Sequence, residues 1–246
     1  MEKFIQLVPT PFLEGSITIY QPEKGFRFGI DSVLLAHFLN LKPKDLILEV
    51  GAGSGIISLI ALKRFPYSKI FALELENIFI ECLKKTILKN KIQERLFVVK
   101  GDIKNPPFKP GIFDIIFSNP PYFKSETGRK SPYEIENITR RDVKFDLNEF
   151  LKNINFLLKN RGKFYLIFTA LRLSELIYLL KINRLEPKFL RLVYSYPGTE
   201  AKLVLLLAIK NAKEEVRILP PLFIYTSKKG DYTEEVKNFL KRIEYT

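Results

Sequence analysis

Short apolar runs alternate with amphipathic stretches along most of this chain. Residues 46–50 (LILEV), 69–73, 96–99, 113–118 and 163–168 are compact runs rich in Ile, Leu, Val and Phe, and each reads as a buried strand. Between them, 56–64, 77–91, 145–160 and 171–183 carry apolar residues at helical spacing, as with Ile78, Cys82 and Leu83. Arg161-Gly162 is expected to close the third of these helices. Further on, 188–195 and 201–209 read as two strands joined around Pro197-Gly198, a hairpin at a sheet edge. An apolar stretch at 222–225, a polar turn at 227–231 and a terminal helix over 233–243 follow. Residues 1–28, broken by Pro9, Pro11, Gly15, Pro22 and Gly25, read as irregular or extended. Asp31 or Ser32 then caps an apolar helix running to Leu39. With no repeat, low-complexity tract or clear linker, the 246 residues suit one large domain or one domain with appendages. The division expected is an N-terminal extension and capping helix (1–45) packed on a core domain (46–246).

The most informative strand end is DIIFSNPPY, residues 114–122. The two prolines fix φ and restrict the residues before them, so Asn119 is held stiffly where open α/β sheets place their ligands. The Asn119 side-chain oxygen and the Pro120 carbonyl are two acceptors. Together they suit the two hydrogens of a planar NH₂ group and leave its lone pair directed outward. Tyr122 adds a ring face on which a flat base can stack. An ordinary turn also explains the tetrapeptide.

A glycine loop, Gly51-Ala52-Gly53-Ser54-Gly55, joins the strand at 46–50 to the helix at 56–64. This order exposes backbone N–H groups at a helix start and binds nucleotide-like ligands. Glu74, 23 positions after Gly51, stands at the end of the second strand, where such folds put a ribose-binding acid. Asp102 ends the third strand and reads either as an acceptor for an adenine amine or as a turn cap. Cys82 and His37 read as packing residues.

Composition narrows the partners. Lys and Arg number 40 against 27 Asp and Glu, a formal charge of +13, which favours a polyanion and above all nucleic acid. One cysteine allows no internal disulfide, and one histidine leaves no Cys/His cluster for zinc. These features, with no long apolar segment, predict a cytoplasmic, metal-free protein off the membrane, and a monomer. Scarce Cys, Met and Trp with abundant Lys, Glu and Ile also hint at a thermophilic source or a codon bias. The long loop 123–141 carries Lys124, Arg129, Lys130, Arg140 and Arg141, placed to meet an RNA backbone.

Taken together, EVGAGSG, Glu74, GDI and SNPPY resemble a class I S-adenosylmethionine-dependent methyltransferase of the small-domain, NPPY type. QPEKGFRFGIDSVLLA before the core, with PKFLRLVYSYPGTEAKLVLLLAIK and PLFIYTSKKGDYTEEV after it, is similar to the tRNA1(Val) adenine(37)-N6-methyltransferase family. The resemblance implies a Rossmann-like α/β fold: a seven-stranded, mostly parallel sheet with helices on both faces. It also implies S-adenosylmethionine as cofactor and tRNA as substrate. In that family's terms Glu49, Gly51, Gly53 and Gly55 surround the methionine part of the cofactor. Glu74 takes the ribose hydroxyls, Leu75 packs on the adenine, and Asp102 with Ile103 holds it. Asn119 touches both cofactor and base, and with Pro120 and Tyr122 grips the target. Phe28 and Asp31 close over the cofactor. Arg140-Arg141-Asp142 departs from the family pattern and carries no catalytic assignment. Other planar NH₂ groups remain open as targets: rRNA guanine N2, DNA adenine N6 or protein glutamine N5. So does a non-catalytic RNA-binding module that keeps the fold.

Overall fold

A computed structural model describes residues 5–25, 27–121 and 145–243. Its centre is β3 (Leu46–Val50), flanked by β4 (Lys69–Glu74) and β6 (Phe113–Ser118), with β5 (Leu96–Lys100) beyond β4 and β7 (Leu158–Thr169) beyond β6. These five run parallel. β9 (Ala201–Lys210) lies antiparallel between β7 and β8 (Leu185–Tyr194), so the hairpin read from the sequence is present. Beyond the expected seven strands, two-residue strands β10 (Arg217–Ile218) and β11 (Leu222–Phe223) pair parallel on β8, making nine strands in this sheet among the described residues. The fold is the Rossmann-like one expected.

The strands are apolar on both sides because both faces are covered. On one face α1 (Ile30–Phe38), α2 (Ile56–Arg64) and α3 (Asn77–Asn90) bury Leu34, Leu35, Leu59, Ile60 and Leu83 against Ile47, Ile115 and Ile167. On the other, α4 (Leu147–Leu157) and α5 (Leu173–Ile182) bury Leu151, Ile154, Leu176 and Leu180 against Leu48, Ile116, Phe164 and Leu206. Cys82 is fully buried, as a packing residue.

Three local expectations change. First, within the stretch read as irregular or extended, β1 (Leu7–Phe12) and β2 (Ile17–Pro22) form an antiparallel hairpin. It is pinned to α3 by Asn90, whose amide bonds both the N–H and the carbonyl of Thr18, and by Thr86 Oγ1, which accepts from Tyr20 N. Second, the N-cap of α1 is Gly29, and Asp31 and Ser32 lie inside the first turn. Their side chains are drawn to a distant partner described below. Third, α4 ends at Leu157 rather than running to 160. Lys210 Nζ takes the carbonyls of Asn155 (2.6 Å) and Leu158 (2.8 Å), while Gly111 N and Ile112 N take those of Phe156 and Leu157. With its last carbonyls satisfied from outside, the chain turns directly into β7, and a register shift opposite β6 absorbs Lys159–Gly162.

The C-terminal helix α6 (Glu234–Leu240) is capped by Thr233, whose Oγ1 accepts from Val236 N. It docks on α1 through the His37–Phe239 stack, ring centroids 4.3 Å apart, and on β8 through a two-pronged Arg191–Glu235 pair. Burial and the nearby Arg64 charge push the His37 pKa down to about 4, which suits a neutral packing residue.

Candidate active site

The chain steps outward from β3 through β4 to β5 and then returns to β6 on the other side of β3, so the crevice at the carboxyl end of β3 is the switch point of the sheet, the usual ligand position in open α/β folds. A cavity of about 200 Å³ occupies this place, lined from β3, β4, β6, the segment after β5 and the start of α4. Gly51, Glu74, Leu75, Asp102, Ile103, Asn119 and Pro120, singled out from the sequence, meet around it. Phe28, Asp31, Glu49, Gly53 and Gly55 stand outside its lining. Tyr122, Arg129, Lys130, Arg140 and Arg141 lie outside the described residues.

The glycine loop hooks over β4: Gly51 N and Ala52 N both donate to the Leu73 carbonyl, at 2.9 and 3.2 Å. Gly51 and Gly53 have φ of +69° and +56°, which side chains rarely adopt, and a Cβ on either would meet nothing within 4 Å. The loop therefore presents bare backbone to open space, a cradle for a ligand. Gly55 serves packing instead, since a Cβ there would stand 2.5 Å from Leu83 Cδ2.

Glu74 ties this loop to the next one. Its Oε2 accepts from Gly53 N (2.7 Å), and its Oε1 accepts from Leu75 N (2.8 Å) and Glu76 N (2.9 Å). It is 7% exposed, far from a surface carboxylate. Burial raises its pKa, and the three N–H donors oppose that rise. Glu49 lies deeper. Ser58 Oγ donates to Glu49 Oε2, whereas Oε1 has no partner among the described residues. Burial pushes its pKa up to about 8, against the Ser58 hydrogen bonds and with a smaller contribution from the Glu74 charge. Asp102 does both things the sequence allowed: its Oδ1 accepts from Lys104 N (2.9 Å), closing a turn, and the residue lines the cavity.

The NPPY end is held from an unexpected side. Ser118 Oγ donates to the Val50 carbonyl (2.8 Å), locking β6 to β3. Asn119 Nδ2 donates to Asp31 Oδ2 and to Ser32 Oγ, both at 3.1 Å. Asp31 is itself steadied by Ser32 N, which donates to its Oδ1 at 2.8 Å. With the NH₂ end of the Asn119 amide committed to α1, its acceptor end is turned the opposite way. Asp31, expected over the cofactor, contacts Asn119, the residue expected to grip the target base. Phe28 packs edge-on against Phe12 with ring centroids 5.2 Å apart.

Sequence reading missed the apolar wall formed by Phe145 and Phe150 at the start of α4. Its available signal was Asp146, which caps that helix by accepting from Asn148 N and Glu149 N and so brings the first turn to the rim.

Among known proteins, residues 27–141 match the family model described as "Methyltransferase small domain". That match places a methyltransferase small-domain signature on residues 27–141 of the chain. Among curated relatives, the tRNA1(Val) (adenine(37)-N6)-methyltransferase of Porphyromonas gingivalis is 29% identical over 187 residues, 73% of this chain and 72% of that one. An Agrobacterium tumefaciens protein described as a predicted O-methyltransferase shares the fold with a TM-score of 0.68 at 17% identity, covering 86% of this chain and 97% of that one. The geranyl diphosphate C-methyltransferase of Streptomyces coelicolor, solved with S-adenosyl-L-homocysteine, has a TM-score of 0.54 at 15% identity, over 72% of this chain and 77% of its own. The matched family model and the fold support S-adenosylmethionine as the cofactor. The open backbone cradle and the acid at the end of β4 fit that molecule.

Proposed function

We propose that this methyltransferase transfers a methyl group from S-adenosylmethionine to the N6 amine of an unpaired adenine in a tRNA anticodon loop, next to the anticodon on its 3′ side. The observation that carries the reading is the Asn119 amide, fixed at the end of β6 by Asp31 and Ser32 beside the cavity. Relatives bearing the tRNA1(Val) adenine(37) name and the charge of +13 support the choice of RNA.

In this reading Glu74, Leu75, Asp102 and Ile103 hold the cofactor along one side of the cavity. Bound S-adenosylmethionine supplies a methyl group already activated on a sulfonium. Asn119 Oδ1 and the Pro120 carbonyl accept the two hydrogens of the adenine amine and aim its lone pair. Their work is orientation and electrostatic preorganisation. A strong base is unnecessary, because the amine becomes acidic only as it gains the methyl group. Tyr122 stacks on the flipped base, and Arg129, Lys130, Arg140 and Arg141 meet the flanking backbone. A single-stranded loop makes flipping inexpensive.

The test is to incubate the protein with labelled S-adenosylmethionine and tRNA from a strain lacking the enzyme, then identify the modified nucleoside by mass spectrometry. N6-methyladenosine is expected, and inosine at the target position should abolish product while RNA still binds. Methyl on guanine N2, on DNA or on a protein glutamine would refute the substrate.

A further inference from the structure

A second feature of the carboxyl rim lies outside the matched methyltransferase region. β11 runs parallel to β8 on its outer side, so the chain leaving Phe223 emerges on the same rim as Asn119. There Tyr225 and Tyr232 pair across a β-bridge, with ring centroids 5.1 Å apart and planes within 14° of parallel. Thr226 N donates to the Asp231 carbonyl (2.9 Å), Gly230 N to that of Ser227 (3.1 Å) and Thr233 N to that of Ile224 (3.0 Å). The hairpin is therefore fixed before any ligand arrives. Tyr194 and Phe223, 5.3 Å apart, continue the aromatic strip toward β8. Tyr225 remains 37% exposed although one side of its ring is covered by Tyr232. Lys228 and Lys229 are exposed at the tip, and neither has a carboxylate partner among the described residues.

We propose that this hairpin is a second RNA contact, in which Tyr225 stacks on an unpaired base and Lys228 and Lys229 meet the phosphates beside it. The inference rests on the RNA reading above. A rigid aromatic face next to lysines is the usual platform for single-stranded nucleic acid, and it accepts any base because every base has a π face. β11 lies four strands from β6, which at the usual strand spacing is about 19 Å along the rim. The base it takes is thus a few nucleotides from the one presented to Asn119. Each protein–RNA complex then has two fixed points, which set the register of the strand.

The experiment measures fluorescence anisotropy of two probes on the full chain: a short mixed-sequence single-stranded RNA and unmodified bulk tRNA. Tyr225→Ala should weaken both by ~5-fold or more, the low end of base–aromatic stacking, and Tyr225→Phe should stay within about twofold of wild type. The double variant Lys228→Glu/Lys229→Glu should flatten the dependence of log K on log[salt] by about 1.4, two phosphate contacts' worth. Circular dichroism and cofactor titration should match wild type in every variant. If folded Tyr225→Ala binds both RNAs as wild type does, the platform is refuted even where adenine methylation is intact. If Tyr225→Ala loses RNA while the methylated product is not adenine, the platform stands and the substrate assignment falls.

Discussion

Asp31→Asn is the substitution that separates holding Asn119 from holding the cofactor. A carboxylate only accepts hydrogen bonds, whereas the Ser32 hydroxyl can donate or accept. Ser32 would therefore satisfy Asn119 in either flip of its amide, and only Asp31 distinguishes them. The bond from Asn119 Nδ2 to Asp31 Oδ2, 3.1 Å long, is of the charged kind, of the order of 1.5–3 kcal/mol. Flipping the amide loses it and sets two oxygens face to face. A gap of about 2 kcal/mol already keeps the wrong orientation below roughly 5%, at 1.4 kcal/mol per tenfold. An asparagine at 31 can donate as well as accept, so the gap closes and the competent share drops to about half. We expect kcat to fall about two- to fivefold, a population effect plus a looser amide, while cofactor affinity stays unchanged. Asn119→Ala, which removes the acceptor itself, should lower kcat by roughly 10²-fold or more, as loss of a preorganised polar contact does. Single-turnover methylation and calorimetric titration of S-adenosylmethionine read the two effects separately. Weaker cofactor binding with unchanged turnover in Asp31→Asn would refute the reasoning and return Asp31 to the cofactor.

Two further outcomes follow from the buried carboxylates. Glu74→Ala should weaken S-adenosylmethionine binding by about 1.5–3 kcal/mol in calorimetry, the scale of a charge-assisted hydrogen bond, and release Gly53 N, Leu75 N and Glu76 N; normal affinity would remove Glu74 from the site. Glu49 ionises near its ordinary 4.5 in the unfolded chain but near 8 when folded, so the folded state binds the extra proton between these values. That contribution is complete below about 4.5 and is lost as pH rises through about 8, so the thermal midpoint of Glu49→Gln should gain on wild type with rising pH across this window. Parallel curves would mean that Glu49 is not held protonated.

The sequence by itself determined what is local. Strand cores showed as apolar runs because both sheet faces are covered, and the glycine loop, Glu74 and the Asn-Pro-Pro turn each lie within a few consecutive residues at a strand end. The basic composition pointed to a polyanion in the same direct way. Only the tertiary structure decided what depends on residues far apart in the chain. Asn119 meets Asp31 across 88 positions, and helical propensity alone made Asp31 a cap rather than a tether. Lys210 ends α4 from 52 positions beyond Leu158, where helical periodicity carried the helix on to 160. The two-residue strands β10 and β11 are too short to leave a periodic signal, and they exist because β8 offers them an unpaired edge. Glu49 looks on paper like any acid at a strand end. Burial between β4 and β6, beside Ser58 of α2, raises its pKa to about 8.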